Sequence, residues 1–247
     1  MVNTSHLTKV FTDGKKKITA VNSVDFHAEP GQIHALLGVN GAGKTTLLRM
    51  LSTVIRPTSG TATLNNFDIH KNAAQVRESI GFLSTSTALY GRLTGREMLD
   101  YFGGLYGFSG SELKERVQAA IAQTQAEEFC DQLCDRLSTG QKQRISIARS
   151  IIHNPPILFL DEPTAGLDIL AAQTVLTFIE TARDQGKTII FSTHIMNEVE
   201  RLAERITVIH QGEVKGTGTL TDLKSTTGTT TAEQMFLSLI SPQEAHA

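Results

Sequence analysis

Residues Ile33–Leu51 read IHALLGVNGAGKTTLLRML. An apolar, strand-sized run ends at Leu37. Gly38-Val39-Asn40-Gly41-Ala42-Gly43-Lys44-Thr45 then fits G-x-x-x-x-G-K-[ST], and Thr46 begins a helical stretch. Three glycines let backbone N–H groups turn inward and close on phosphate oxygens. The helix that follows adds the partial positive charge of its N-terminus. Lys44 is placed to reach the β- and γ-phosphates of a nucleotide, and the Thr45 hydroxyl to ligate Mg²⁺. A bare glycine-rich turn would need neither the preceding strand nor the following helix.

The same chemistry recurs further along. Ile157–Glu162, ILFLDE, reads as a buried strand ending in two acids. Ligands of parallel sheets bind beyond the carboxyl ends of the strands, so Asp161 and Glu162 fall where a nucleotide would lie. Two adjacent carboxylates there are costly without a cation, which Mg²⁺ supplies. Asp161 is expected to hold the ion through water, leaving Glu162 to orient and deprotonate an attacking water. Thr188–Ser192 is another strand, and His194 follows it at the same edge, able to donate to a γ-phosphate. Asp168 reads equally as the N-cap of the next helix or as a functional acid.

Ser138-Thr139-Gly140-Gln141 opens a further helix as a capping box, which accounts for Ser138 and Gln141 without any ligand. Two features ask for more. Gly140 weakens the first turn, and Lys142 and Arg144 set positive charge near the positive end of the helix dipole. An anion outside this N-terminus would offset both. The phosphate loop already has its own anion-binding helix, so the second helix end meets a γ-phosphate only if two copies pair head to tail.

Strands and helices alternate from residue 31 onward, the α/β pattern. Before that, Val10-Phe11 and Ile18–Phe26 read as antiparallel strands around the turn Thr12-Asp13-Gly14, and Thr61–Leu64 with Asn65-Asn66 reads as another hairpin. The antiparallel β part is expected over about 1–30 and 60–70. Arg92–Leu133 is helix-rich, with Met98, Tyr101, Phe102 and Leu105 at helical spacing, and a helical insert is expected over about 92–150. The Thr/Gly-rich piece Ser225–Thr231 reads as a linker within a tail of about 218–247 that ends in amphipathic Ala232–Ile240.

All 247 residues suit one large α/β domain, and 40% apolar residues suffice for its core. A net charge of −2 offers no footprint for nucleic acid. No apolar run approaches the roughly 20 residues of a membrane span, and the N-terminus lacks a signal-peptide pattern, so a cytosolic location is expected. Cys130 and Cys134, four apart in a helical context, lack a second ligand pair and read as inert thiols.

The ordered set GVNGAGKTT, LSTGQKQR, ILFLDEPTAGLD and STH resembles the ATP-binding subunit of an ABC transporter, over nearly the whole chain from Val10 to the tail. The resemblance implies a phosphate-loop NTPase core with an N-terminal antiparallel β subdomain and an inserted helical subdomain. It implies that Phe11 stacks on adenine, that Gly38–Thr46 holds ATP, and that Ser138–Gln141 contacts ATP held by the opposite copy. It implies that Asp161 and Glu162 serve Mg²⁺ and catalysis, that Ala165–Asp168 communicates across the dimer, and that His194 is a switch. The chain departs at Thr139, where the family has Gly, and at Thr85, which aligns with a Gln that senses Mg²⁺ and has too short a side chain to reach as far. Phe82-Leu83 and Thr87–Thr94 resemble a branch of exporter ATPases that includes sodium-extrusion subunits. A separate integral membrane permease, docked on the helical insert, is the implied partner, with the chain peripheral on the inner face of the cell membrane. The alternative is a soluble ABC ATPase without a transport role, such as an iron–sulfur assembly ATPase. The stretch from Lys44 to Ser138, 94 positions apart, shows no sustained heptads, which argues against a chromosome-maintenance member.

Overall fold

The computed structural model describes residues 1–14, 16–84 and 88–241. In chain order the strands are β1 (Val2–Asp13), β2 (Lys16–Val24), β3 (His27–Ala28), β4 (Ile33–Leu37), β5 (Ser59–Leu64), β6 (Phe67–Asp68), β7 (Ile80–Leu83), β8 (Ile157–Asp161), β9 (Thr188–Thr193), β10 (Arg205–His210) and β11 (Glu213–Gly218). The helices are α1 (Lys44–Leu51), α2 (Ala73–Glu78), α3 (Gly95–Leu105), α4 (Gly110–Gln123), α5 (Thr139–Ile151), α6 (Ile169–Asp184), α7 (Met196–Leu202), α8 (Leu220–Thr227) and α9 (Ala232–Ile240).

Two sheets form. The first runs β2-β1-β5-β6 with β3 also on β1, and all its pairings are antiparallel. Asn65 and Asn66, with φ 49° and 67°, make the two-residue turn between β5 and β6. The second runs β11-β10-β4-β9-β8-β7, parallel except at β11. Its central strands are buried throughout, as continuous apolar runs covered on both faces must be. Alternation sorts their side chains. Leu36, Phe159 and Ile190 join a core with α1 and the antiparallel sheet, around Leu47, Val2 and Leu7. Ala35, Leu37, Leu158, Leu160 and Phe191 face the other way, onto a core built with α3 to α7.

Several expectations need adjustment. β1 begins at Val2, well before Val10-Phe11, because it pairs with β5 as well as β2. The piece read as a linker from Ser225 is half helix: a capping box between Thr219 and Asp222 starts α8, and Gly228 at φ 65° ends it. Cys130 and Cys134 do not share a helix face, since turns and a short 3₁₀ segment (Cys134–Arg136) replace the helix there; both are buried free thiols. Gly103 and Gly104 lie within α3, and Gly103 lets it pack closely on α4, where a Cβ would meet Leu113 Cδ1 at 2.4 Å. Thr85 lies outside the described residues.

Two histidines, His34 buried and His153 half-buried, tie the fold to pH. His34, in β4, is edge-on to the Phe26 ring and pairs with the Thr207 hydroxyl at 2.9 Å; burial lowers its pKa to about 3. His153 stacks on Tyr106 and meets the Ile80 carbonyl at 2.9 Å; burial lowers its pKa to about 4, against the pull of that carbonyl. Both values lie below the ordinary 6.5, so the unfolded chain takes up these protons first. The stability carried by the neutral rings is therefore complete above pH 6.5 and is lost as pH falls toward 4 and then 3. Urea unfolding is expected to give a lower midpoint at pH 5 than at pH 7, with a smaller difference in His34→Gln; midpoints independent of pH would refute this.

Candidate active site

Three adjacent parallel strands end side by side. Leu37 of β4 is in register with Thr193 of β9, and Ser192 of β9 with Asp161 of β8. The loop after β4, the acids ending β8 and the histidine after β9 are thus brought to one edge, where ligands of such sheets bind.

The loop after β4 is shaped by close backbone contacts. Gly41 and Gly43 have φ 81° and 109°. A Cβ on Gly43 would lie 2.4 Å from the Ala20 carbonyl oxygen, so β2 closes one side of the loop. α1 begins at Lys44 with no side-chain cap, leaving its first N–H groups facing the loop. A cavity of about 180 Å³ opens here, lined by Asn40, Gly41, Lys44, Thr45, Thr46 and Glu162 among others; Phe11 is not in its wall. Phe11 stands half-exposed on β1, with the Lys9 ammonium 5.1 Å from its ring centre.

Lys44 is 4% exposed, and burial lowers its pKa while Glu162, then Asp161, oppose that shift. Its Nζ donates to the carbonyls of Gly38 at 2.7 Å and Val39 at 3.1 Å, and lies 3.5 Å from Glu162 Oε1. His194 Nδ1 lies 3.5 Å from that same oxygen. Asp161 is fully buried, and its Oδ1 accepts from Thr45 Oγ1 at 3.0 Å and Ser192 Oγ at 2.6 Å. Its Oδ2 has no hydrogen-bond partner among the described residues. A hydroxyl beside a carboxylate with one unsatisfied oxygen is the donor set that a hard, oxygen-seeking cation such as Mg²⁺ takes.

Ser192 carries more of this site than a motif would indicate. It donates to Asp161 and also accepts from the Glu162 N–H at 2.9 Å. In the sequence it is the first residue of the STH motif, which does not reveal its bond to Asp161.

The remaining residues have local explanations. Ser138 and Gln141 form the expected capping box. Gly140 is required by packing within the chain, since a Cβ there would meet Ala171 Cβ at 2.7 Å. Arg144 lies over the Phe129 ring at 4.5 Å and donates to the Gln125 carbonyl, so its place near the helix start is also accounted for internally. These contacts account for Gly140 and Arg144 within the chain, but not for Lys142. Asp168 is the N-cap of α6, accepting from Ala171 N at 2.9 Å. Thr139 is exposed on the first turn of α5.

Residues 21–165 match the family model described as ABC transporter. The chain belongs to the ABC transporter family. It is 38% identical to the ABC transporter ATP-binding protein NatA of Bacillus subtilis (strain 168), over 96% of this chain and 97% of that one. It is 36% identical to the daunorubicin/doxorubicin resistance ATP-binding protein DrrA of Streptomyces peucetius, over 92% of this chain and 68% of that one. Its fold matches the dimeric ATP-binding cassette MJ0796 in a post-hydrolysis state bound to ADP and Pi, with TM-score 0.81, 28% identity and coverage of 89% and 99%. This ABC domain binds and hydrolyses ATP.

The loop's tight backing by β2 makes a prediction. Gly43→Ala combines a clash with strain at φ 109° and is expected to weaken nucleotide binding by roughly tenfold or more. Gly41→Ala meets open space and is expected to lose less. Titration with a fluorescent nucleotide analogue measures both, and equal, undiminished affinity would refute the account.

Proposed function

We propose that the chain is the ATP-hydrolysing subunit of a membrane exporter whose permease is a separate protein. The observation that carries the reading is the joint geometry at the sheet edge, where Thr45 and Asp161 are hydrogen-bonded and Lys44 and His194 converge on one carboxylate oxygen of Glu162. NatA and DrrA, matched over almost all of this chain, are named as ATP-binding proteins, DrrA in drug resistance. No helix among the described residues is long and apolar enough to cross a membrane, which fits a substrate path lying in a partner at whose inner face the chain sits.

On this reading Lys44 leaves its loop carbonyls and Glu162 to meet the β- and γ-phosphates, and the backbone amides of Gly41–Thr46 surround the phosphate oxygens. Mg²⁺, when bound by Thr45 and Asp161, supplies charge neutralisation for the departing phosphate. Glu162, released from Lys44, accepts a proton from the attacking water. His194 donates toward the γ-phosphate and orients it. Ser138 and Gly140 face the ATP of a second copy in a head-to-tail dimer. Ile169 and Leu170, 87% and 80% exposed immediately after Asp168, form an apolar step of the kind that a partner surface covers. ATP-driven closure of that dimer and its release after hydrolysis would drive the permease. The exporter class rests on the relatives; the cargo is chosen by the permease.

Two measurements test the reading. Glu162→Gln is expected to bind ATP, remain dimeric with it, and hydrolyse about 100-fold slower or less; undiminished turnover would remove Glu162 as the base. Affinity purification of the chain from membranes is expected to bring down a polytopic membrane protein that raises its ATPase rate. Recovery of soluble scaffold proteins alone would favour the iron–sulfur assembly class instead.

A further inference from the structure

Glu162 has φ 47°, in the left-handed region that a residue with a Cβ rarely adopts. Such a conformation persists only where its surroundings over-determine it. Its own N–H is held by the Ser192 carbonyl at 3.2 Å and the Ser192 hydroxyl at 2.9 Å. The two residues that follow are held as well, each by a side chain from a distant segment. The Pro163 carbonyl accepts from Gln143 Nε2 at 2.6 Å. The Thr164 hydroxyl, on a residue 5% exposed, donates to Glu198 Oε1.

Glu198 is itself 5% exposed, and its hydrogen-bond partners are hydroxyls. Its second oxygen accepts from Thr193 Oγ1 at 2.5 Å, and Thr193 Oγ1 in turn accepts the Ile195 N–H at 3.0 Å. One buried carboxylate therefore clasps the segment after Glu162 to the segment that carries His194. Burying a carboxylate costs several kcal/mol unless its oxygens are satisfied, so this position is a demanding one to maintain for packing alone. Gln143 stands one turn beyond the start of α5, so any shift of the Ser138 end of that helix is passed to the Pro163 carbonyl.

We propose that Gln143 and Glu198 are positioning residues that hold Glu162 in its left-handed conformation and join it to the His194 segment. The proposal rests on Glu162 being the base. Neither residue touches the phosphate-loop cavity, so their loss is expected to slow turnover without weakening ATP binding.

The experiment uses the full chain, measuring kcat for ATP hydrolysis and, separately, the Kd of a non-hydrolysable ATP analogue. Gln143→Glu keeps the size of the side chain and removes its donor, while Gln143→Lys restores a donor. Gln143→Glu and Glu198→Ala are expected to lower kcat about tenfold to 100-fold, the range that a misplaced catalytic group costs, with Kd changed less than about twofold. Gln143→Lys is expected to recover most of the rate, and Glu198→Gln, which retains one acceptor oxygen, to lie between Glu198→Ala and the unaltered chain. Unchanged kcat in Gln143→Glu and Glu198→Ala would overturn the proposal. So would a loss of kcat matched by an equal loss of affinity, or a Gln143→Lys as slow as Gln143→Glu. Glu162→Gln is measured alongside: if it turns over normally, the base assignment fails and the proposal with it. If it is slow while the Gln143 and Glu198 variants are fast, only the positioning role fails.

Discussion

A carboxylate with no solvent contact closes the end of β8, and the site depends on how Asp161 is accommodated there. One of its oxygens is satisfied by two hydroxyls from different elements, Thr45 at the start of α1 and Ser192 at the end of β9. The other oxygen has no partner among the described residues. An unsatisfied buried oxygen costs on the order of 1–3 kcal/mol, more for a charged group, a cost that a cation held at that oxygen would offset. The same bonds lock three loops into one geometry. β4, β9 and β8 must end in register for Thr45, Ser192 and Asp161 to meet, and that registry carries Lys44, His194 and Glu162 to within reach of one another.

The phosphate loop, the paired acids and the histidine were legible in the sequence because each is a local statement, an apolar strand followed at once by the residues its end presents. Ser192, Gln143 and Thr164 lie inside the motifs STH, LSTGQKQR and ILFLDEPTAGLD and Glu198 outside them all, but what each one touches was not legible, because these contacts join residues far apart in sequence. Gly140 shows the same limit from the other side. Read locally it is a helix-weakening residue in want of a ligand, whereas its cause is the Cβ of Ala171 on a neighbouring helix. The helix α8 escaped notice for the reverse reason. Its capping box is local, but threonines and a glycine dominate the stretch, and Leu223 must reach the core before a helix is worth forming.

The capping box at the start of α5 engages two backbone donors within one chain. Ser138 Oγ accepts the Gln141 N–H at 3.3 Å, and Gln141 Oε1 accepts the Ser138 N–H at 2.9 Å. At the Gln141 N–H, a phosphate arriving from a second copy would therefore exchange one bond for another instead of filling an empty donor. Exchange contributes far less than the capture of an orphaned donor, of the order of a net hydrogen bond at about 1 kcal/mol. In the proposed head-to-tail dimer, such a contact would close when ATP adds its charge and open when that charge leaves. There the capping box would do more than start a helix: with the Gln141 N–H already engaged in the free chain, the gain at that donor on pairing stays small enough to be undone by hydrolysis.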